Sequence, residues 1–222
     1  MGQMISISRP DGDTIPCYRA NAVGVSSAPV IIVIQEWWGL NNQIKGTADR
    51  LAQDGFDAIV PDLYRGKITT DADEASHMSS QLDWGGAVAD VAAIVKSGGD
   101  EVPTPFGITG FCMGGGITFL AASKVKGLAA ACPFYGVPQE ITGLANIKIP
   151  LQGHFATRDG WASRTAMAKI EKVLNDAEVV HEFFWYEADH AFMNEARPEV
   201  YHPTIAKLAW SRMIAFFRAH LD

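Results

Sequence analysis

The chain predicts an α/β fold: a mostly parallel sheet with helices on both faces and an antiparallel N-terminal hairpin at one edge. Three observations carry this. Residues 29–34, Pro-Val-Ile-Ile-Val-Ile, have no polar alternation and read as a strand buried on both faces. From there to the end, strand-like and helix-like segments alternate, the order of a parallel sheet with crossover helices. Residues 4–8 and 15–20 flank Pro10-Asp11-Gly12-Asp13 and read as strand, turn and returning strand.

Local pattern justifies each element in turn. Residues 41–55 are helical in composition, with Asn41 or Asn42 as N-cap and Gly55 as the stop. Residues 57–61 form another short buried strand. Trp84, Val88, Val91, Ala92 and Val95 recur at helical spacing, and Gly98-Gly99 closes that helix. Ile108 and Thr109 end a strand, and residues 128–132 and 149–153 read as two more. Ala166, Ile170, Val173 and Leu174 line a helix, and residues 179–186 form a strand. Ile205, Leu208, Ala209, Met213, Phe216 and Phe217 line a closing helix. No repeat or linker interrupts the run, so residues 1–222 are expected to form one domain.

Composition narrows the classes. With 48% hydrophobic and 19% charged residues, the chain has material for a substantial core, which excludes disorder as the main state. A net charge of −7 and the lack of a long basic run exclude a nucleic-acid surface. Cys17, Cys112 and Cys132 are widely spaced and odd in number, a poor disulfide framework that points to a reducing compartment. The opening MGQMISISRPDG lacks the pattern of a signal peptide. Its match to Met-Gly-x-x-x-Ser is read as the first strand, not as an acylation signal. The longest apolar stretch, residues 28–34, is far below the roughly 20 residues of a membrane span. The expectation is a cytoplasmic protein with no membrane or nucleic-acid partner; the sequence sets no oligomeric state.

The chemistry concentrates at a corner. Gly110-Phe111-Cys112-Met113-Gly114 lies between a strand and a helix and fits the G-x-nucleophile-x-G elbow. A nucleophile on so tight a turn needs small neighbours, and the helix behind it aims free N–H groups at the sulfur. The N–H of Met113 is then one oxyanion donor. A small buried structural cysteine is the competing reading. A nucleotide site is disfavoured, because neither G-x-G-x-x-G in the first βα unit nor G-K-[ST] is present. Asp159, after the strand-like residues 149–153, and His190, after residues 179–186, complete the order nucleophile, acid, histidine on one rim of the sheet. Asp159 is preferred to Asp189 as the partner of His190, because neighbouring side chains in sequence point apart. His77, His154, His181, His202 and His220 are read as structural or solvated. No paired metal-ligand spacing appears, so no metal is expected. The loop after the first buried strand supplies Trp37 as a second oxyanion N–H, and it also carries Glu36.

Four motifs in order, Gln35-Glu36-Trp37-Trp38-Gly39-Leu40-Asn41, Val60-Pro61-Asp62-Leu63-Tyr64, Gly110-Phe111-Cys112-Met113-Gly114-Gly115 and Ala188-Asp189-His190-Ala191-Phe192, resemble the dienelactone hydrolase family, the carboxymethylenebutenolidases. The resemblance runs over nearly the whole chain. It implies the α/β-hydrolase fold, a Cys112-His190-Asp159 triad acting on a small-molecule ester or lactone, and no cofactor. It implies further that Glu36 contacts the resting thiol, then swings away with its proton as substrate binds. Family members hold a substrate carboxylate with arginines, one of them four residues after the histidine. Here that place is Asn194, which leaves Arg65 and Arg197 as stand-ins. The Met, Trp and Phe residues would suit an aromatic or apolar lactone, but Trp84, Trp161 and Trp210 are read as core. Other readings are a different carboxylesterase or thioesterase on the same triad, a thiol amidotransferase, or a non-catalytic binding protein. Phe192 stands where a class I glutaminase carries glutamate, against the amidotransferase.

Overall fold

In chain order the elements are β1 (Gln3–Ser8), β2 (Thr14–Ala20), β3 (Val30–Ile34), α1 (Asn42–Gln53), β4 (Asp57–Pro61), α2 (Ala72–Ser80), α3 (Trp84–Ser97), β5 (Phe106–Phe111), α4 (Met113–Lys124), β6 (Leu128–Phe134), β7 (Leu151–Ala156), α5 (Arg164–Asp176), β8 (His181–Tyr186) and α6 (Pro203–Leu221). The computed structural model describes residues 1–25, 27–98 and 105–221. The eight strands form one sheet in the order β1-β2-β4-β3-β5-β6-β7-β8. The β1–β2 and β2–β4 pairs are antiparallel, and every other pair is parallel.

Burial explains why β3 lies inside. Its alternate side chains feed two cores: Ile32 and Ile34 on one face, Ile31 and Val33 on the other. The first face is covered by α3, α4 and α5 through residues such as Val91, Ile117 and Ile170. The second is covered by α1 and α6 through Ile44, Leu51, Met213 and Phe217. The Asn41 side chain accepts from the Ile44 N–H and caps α1. Gly55, at φ 94°, turns the chain after it.

The hairpin, the parallel order and the two helical layers follow the expected plan, with local differences. The strand expected at 149–153 runs from Leu151 to Ala156. His154 therefore sits inside it, stacked 4.4 Å from Phe134, with ring nitrogens 2.8 Å from the Tyr186 hydroxyl and 3.1 Å from Gln152 Oε1. Both polar atoms are satisfied, so a histidine extends the buried strand; burial pushes it down to about 3, neutral at ordinary pH. Helix α2 and a 3-10 turn at Thr142–Asn146 were not legible: α2 buries only Ala75 and shows no apolar stripe. Of the expected stop to α3, Gly98 is its C-cap and Gly99 lies outside the described residues. No described helix is long and apolar enough to cross a membrane.

Helix α4 is buried along nearly its whole length and begins where the strands end. A Cβ at Gly114 would strike the Ile34 carbonyl, whereas one at Gly46, inside α1, meets nothing within 4 Å. Equilibrium urea unfolding should therefore separate two identical exchanges. Gly114→Ala is expected to lose about 1–3 kcal/mol through overpacking, and Gly46→Ala to gain about 0.5–1 kcal/mol through helix propensity.

Candidate active site

The site is built on consecutive strand ends. β3, β5, β6, β7 and β8 lie side by side and parallel, and their C-terminal ends lead into Glu36, Cys112, Tyr135, Asp159 and His190. Cys112 sits at φ 55°, ψ −123°, a conformation few side-chain-bearing residues adopt. Its N–H donates to the Phe134 carbonyl at 3.1 Å, and its carbonyl accepts from Gly115 N–H at 2.9 Å and Gly116 N–H at 3.3 Å. The small residues around the turn have specific reasons, Gly136 being one that the sequence pattern does not single out. A Cβ at Gly110 would strike the Gly114 carbonyl, and one at Gly136 would strike the Cys112 carbonyl.

Asp159 is 5% exposed. Its Oδ1 accepts from the N–H groups of Trp161 (2.8 Å) and Ala162 (3.0 Å). Its Oδ2 lies 2.6 Å from His190 Nδ1, the contact of a donating ring nitrogen. Asp189 instead faces Arg158, at 3.1 and 2.9 Å, and has no part in the pair. Burial acts downward on the His190 ring, but the hydrogen bond to Asp159 and the influence of the Cys112 sulfur outweigh it and push the ring up to about 10. The ring also lies edge-on to Tyr135 and to Trp161, with centroids 5.1 and 5.7 Å away.

Glu36 is buried, and both its oxygens are taken: Tyr135 Oη donates to Oε1 at 3.2 Å and Asn194 Nδ2 to Oε2 at 2.7 Å. Burial raises the carboxyl above its ordinary value, against the pull of Asn194, His190, Tyr135 and Arg197. The resting contact with the thiol that the resemblance implies is absent from the hydrogen bonds of the described residues, because two buried donors satisfy this carboxylate elsewhere.

One cavity of about 570 Å³ opens over these groups. Cys112, His190, Glu36, Trp37, Met113 and Arg197 all line it. Among the described residues, the N–H groups of Trp37 and Met113 have no acceptor. Two of the residues expected to hold substrate do not reach it. Arg65 Nη2 donates to both oxygens of the buried Asp90, and Arg65 lines a separate cavity with Arg9 and Lys67. Asn194 is spent on Glu36. Trp84, Trp161 and Trp210 were expected in the core: Trp84 packs against it and also lines the cavity, Trp161 lines the cavity half exposed, and Trp210 is buried as expected. Sequence reasoning missed Tyr135, fully buried at φ 33°, and Ser79 and Ser80 at the end of α2. Tyr135 follows directly on the strand beside the elbow, the one local signal that would have found it.

The dienelactone hydrolase family model matches residues 15–221. The chain belongs to the dienelactone hydrolase family. Protein usf of Aquifex pyrophilus is 35% identical over 235 residues, with 100% of each chain covered. An Aquifex aeolicus (strain VF5) protein provisionally named carboxymethylenebutenolidase is 32% identical, again with 100% of each chain covered. The crystal structure of a provisionally named dienelactone hydrolase from Klebsiella pneumoniae subsp. pneumoniae MGH 78578 matches with a TM-score of 0.88 at 30% identity, covering 98% of each chain. The family is one of hydrolases, and its α/β-hydrolase fold is the fold of this chain.

The coupling of Asp159, His190 and Cys112 has a pH signature. A ring raised from 6.5 to about 10 contributes stability that is complete below about 6.5 and lost as pH rises through about 10. NMR titration of the His190 ring should show its midpoint well above 6.5 in the wild type and lowered in Asp159→Asn. Stability should also fall less between pH 6.5 and 10 in that variant.

Proposed function

We propose that the protein is a carboxylic ester hydrolase that opens an enol-lactone or activated ester through Cys112, His190 and Asp159, by way of a thioester acyl-enzyme. The observation that carries the reading is the 2.6 Å contact of His190 with Asp159, on a ring whose protonation also responds to Cys112, inside one cavity of about 570 Å³. Unpartnered N–H groups of Trp37 and Met113 lining the same cavity support it.

In this reading, substrate binding moves the Cys112 proton to Glu36, whose burial already raises its affinity for a proton. Tyr135 and Asn194 hold Glu36 turned from the sulfur before substrate binds, so the transfer needs Glu36 to leave these bonds for the thiol and regain them afterwards. The thiolate adds to the ester carbonyl carbon, and the N–H groups of Trp37 and Met113 receive the oxyanion. Collapse breaks the carbon–oxygen bond, forms the thioester and releases the enolate, which leaves without a strong acid. The released enolate takes the proton of the His190 ring, and the neutral ring, held by Asp159, then takes one from water as the water adds to the thioester carbonyl. Breakdown of that intermediate frees the acid and returns the thiolate, which takes its proton back from Glu36.

Stopped-flow assay with p-nitrophenyl acetate should show a burst of p-nitrophenol in the wild type and none in Cys112→Ala. Glu36→Gln should slow the burst phase by at least about tenfold; an unchanged burst rate would remove Glu36 from the cycle.

A further inference from the structure

We infer that the cavity selects an uncharged, aryl-bearing acyl group, and that the Trp161 side chain sets this preference. The inference deepens the hydrolase reading above and rests on it for turnover, though not for binding.

The cavity wall is mostly apolar. Trp37 comes from the loop after β3, Trp84 from the start of α3, Met113 from α4, Val137 and Pro138 from the loop after β6, and Trp161 from the loop after β7. Three indoles from three separate elements therefore surround one space. Trp161 stands apart from its neighbours because it is 45% exposed. Its backbone N–H is fixed by Asp159, and its ring lies edge-on to His190 at 5.7 Å and 68°. A large aromatic left half in water beside the reacting groups gains what it lacks when a flat apolar group covers it.

Charge in the cavity argues against a substrate carboxylate. The charged or titratable groups that face the space are Glu36, Cys112, His190 and Arg197. His190 is committed to Asp159. Glu36 is itself a carboxyl group in the same space. Arg197 is the Lys or Arg among the described lining residues; its Nε donates to Glu199 at 2.7 Å, and its guanidinium lies 5.6 Å from the Trp38 ring. A carboxylate on the acyl group would give up water here, meet the Glu36 carboxyl and compete with Glu199 for the Arg197 guanidinium.

The test compares p-nitrophenyl esters of acetic, phenylacetic and 4-carboxyphenylacetic acids, each corrected for its own rate with hydroxide. The wild type should turn over the phenylacetyl ester with kcat/KM about tenfold above both others. In Trp161→Ala the phenylacetyl-to-acetyl ratio should fall to near one, and Trp161→Phe should keep most of it. Equal or better turnover of the carboxylated ester, or a ratio that survives in Trp161→Ala, overturns the inference. Calorimetric titration of Cys112→Ala with methyl phenylacetate and its 4-carboxylate separates binding from chemistry. Tighter binding of the uncharged ester without any wild-type turnover keeps the inference and removes the hydrolase reading; equal or reversed affinities overturn the inference.

Discussion

The close approach of α4 to the ends of β3, β5 and β6 is the constraint on which the site depends. Backbone meets backbone there: Gly114 lies against the carbonyls of Ile34 and Gln35, Gly115 against that of Phe134, and Gly136 against that of Cys112. Only residues without a Cβ allow the contact, and it forces Cys112 to φ 55°. A conformation of that kind costs on the order of 1–3 kcal/mol and persists because buried packing on every side fixes it. Its consequence is chemical. The sulfur lies at the N-terminal end of a buried helix, where free N–H groups and the helix dipole favour negative charge.

Neighbouring strand ends then do the rest by position. Parallel strands at about 4.8 Å spacing bring the residues that follow them onto one rim, whatever their distance in sequence. Glu36 and Asn194 are 158 residues apart and share a hydrogen bond. The polar groups so assembled are buried, and each carboxylate is held by more than one donor: Asp159 by two backbone N–H groups and His190, Glu36 by Tyr135 and Asn194. Satisfied networks of this kind orient their members tightly, since each alternative leaves a buried group unpaired. The apolar cavity wall sharpens the same electrostatics by excluding water.

Chemistry and specificity come from different parts of the fold. The proposed reacting groups follow strand ends within four residues, Cys112 as the N-cap of α4, whereas most of the wall facing a substrate belongs to other loop positions and to the α2–α3 region. Strand ends are set by sheet register, which tolerates little change. Loops and the weakly buried α2 can vary without disturbing the core.

Sequence alone determined the αβ order, the buried central strand, the N-terminal hairpin and the elbow at Cys112, because each depends on local period or on small residues at fixed spacing. It also brought Cys112, His190 and Asp159 to one rim, since chain order and strand ends suffice for that. Tertiary structure decided what local pattern does not encode. His154 joined a strand because Phe134, Tyr186 and Gln152 happen to surround it. Arg65 turned to Asp90, and Asn194 to Glu36, because a buried carboxylate captures the nearest donor in space. Trp161 faces the cavity, and Trp84 one edge of it, for a similar reason: an aromatic residue reads the same in sequence whether it fills a core or lines a wall, and only the packing of distant segments leaves a space beside it.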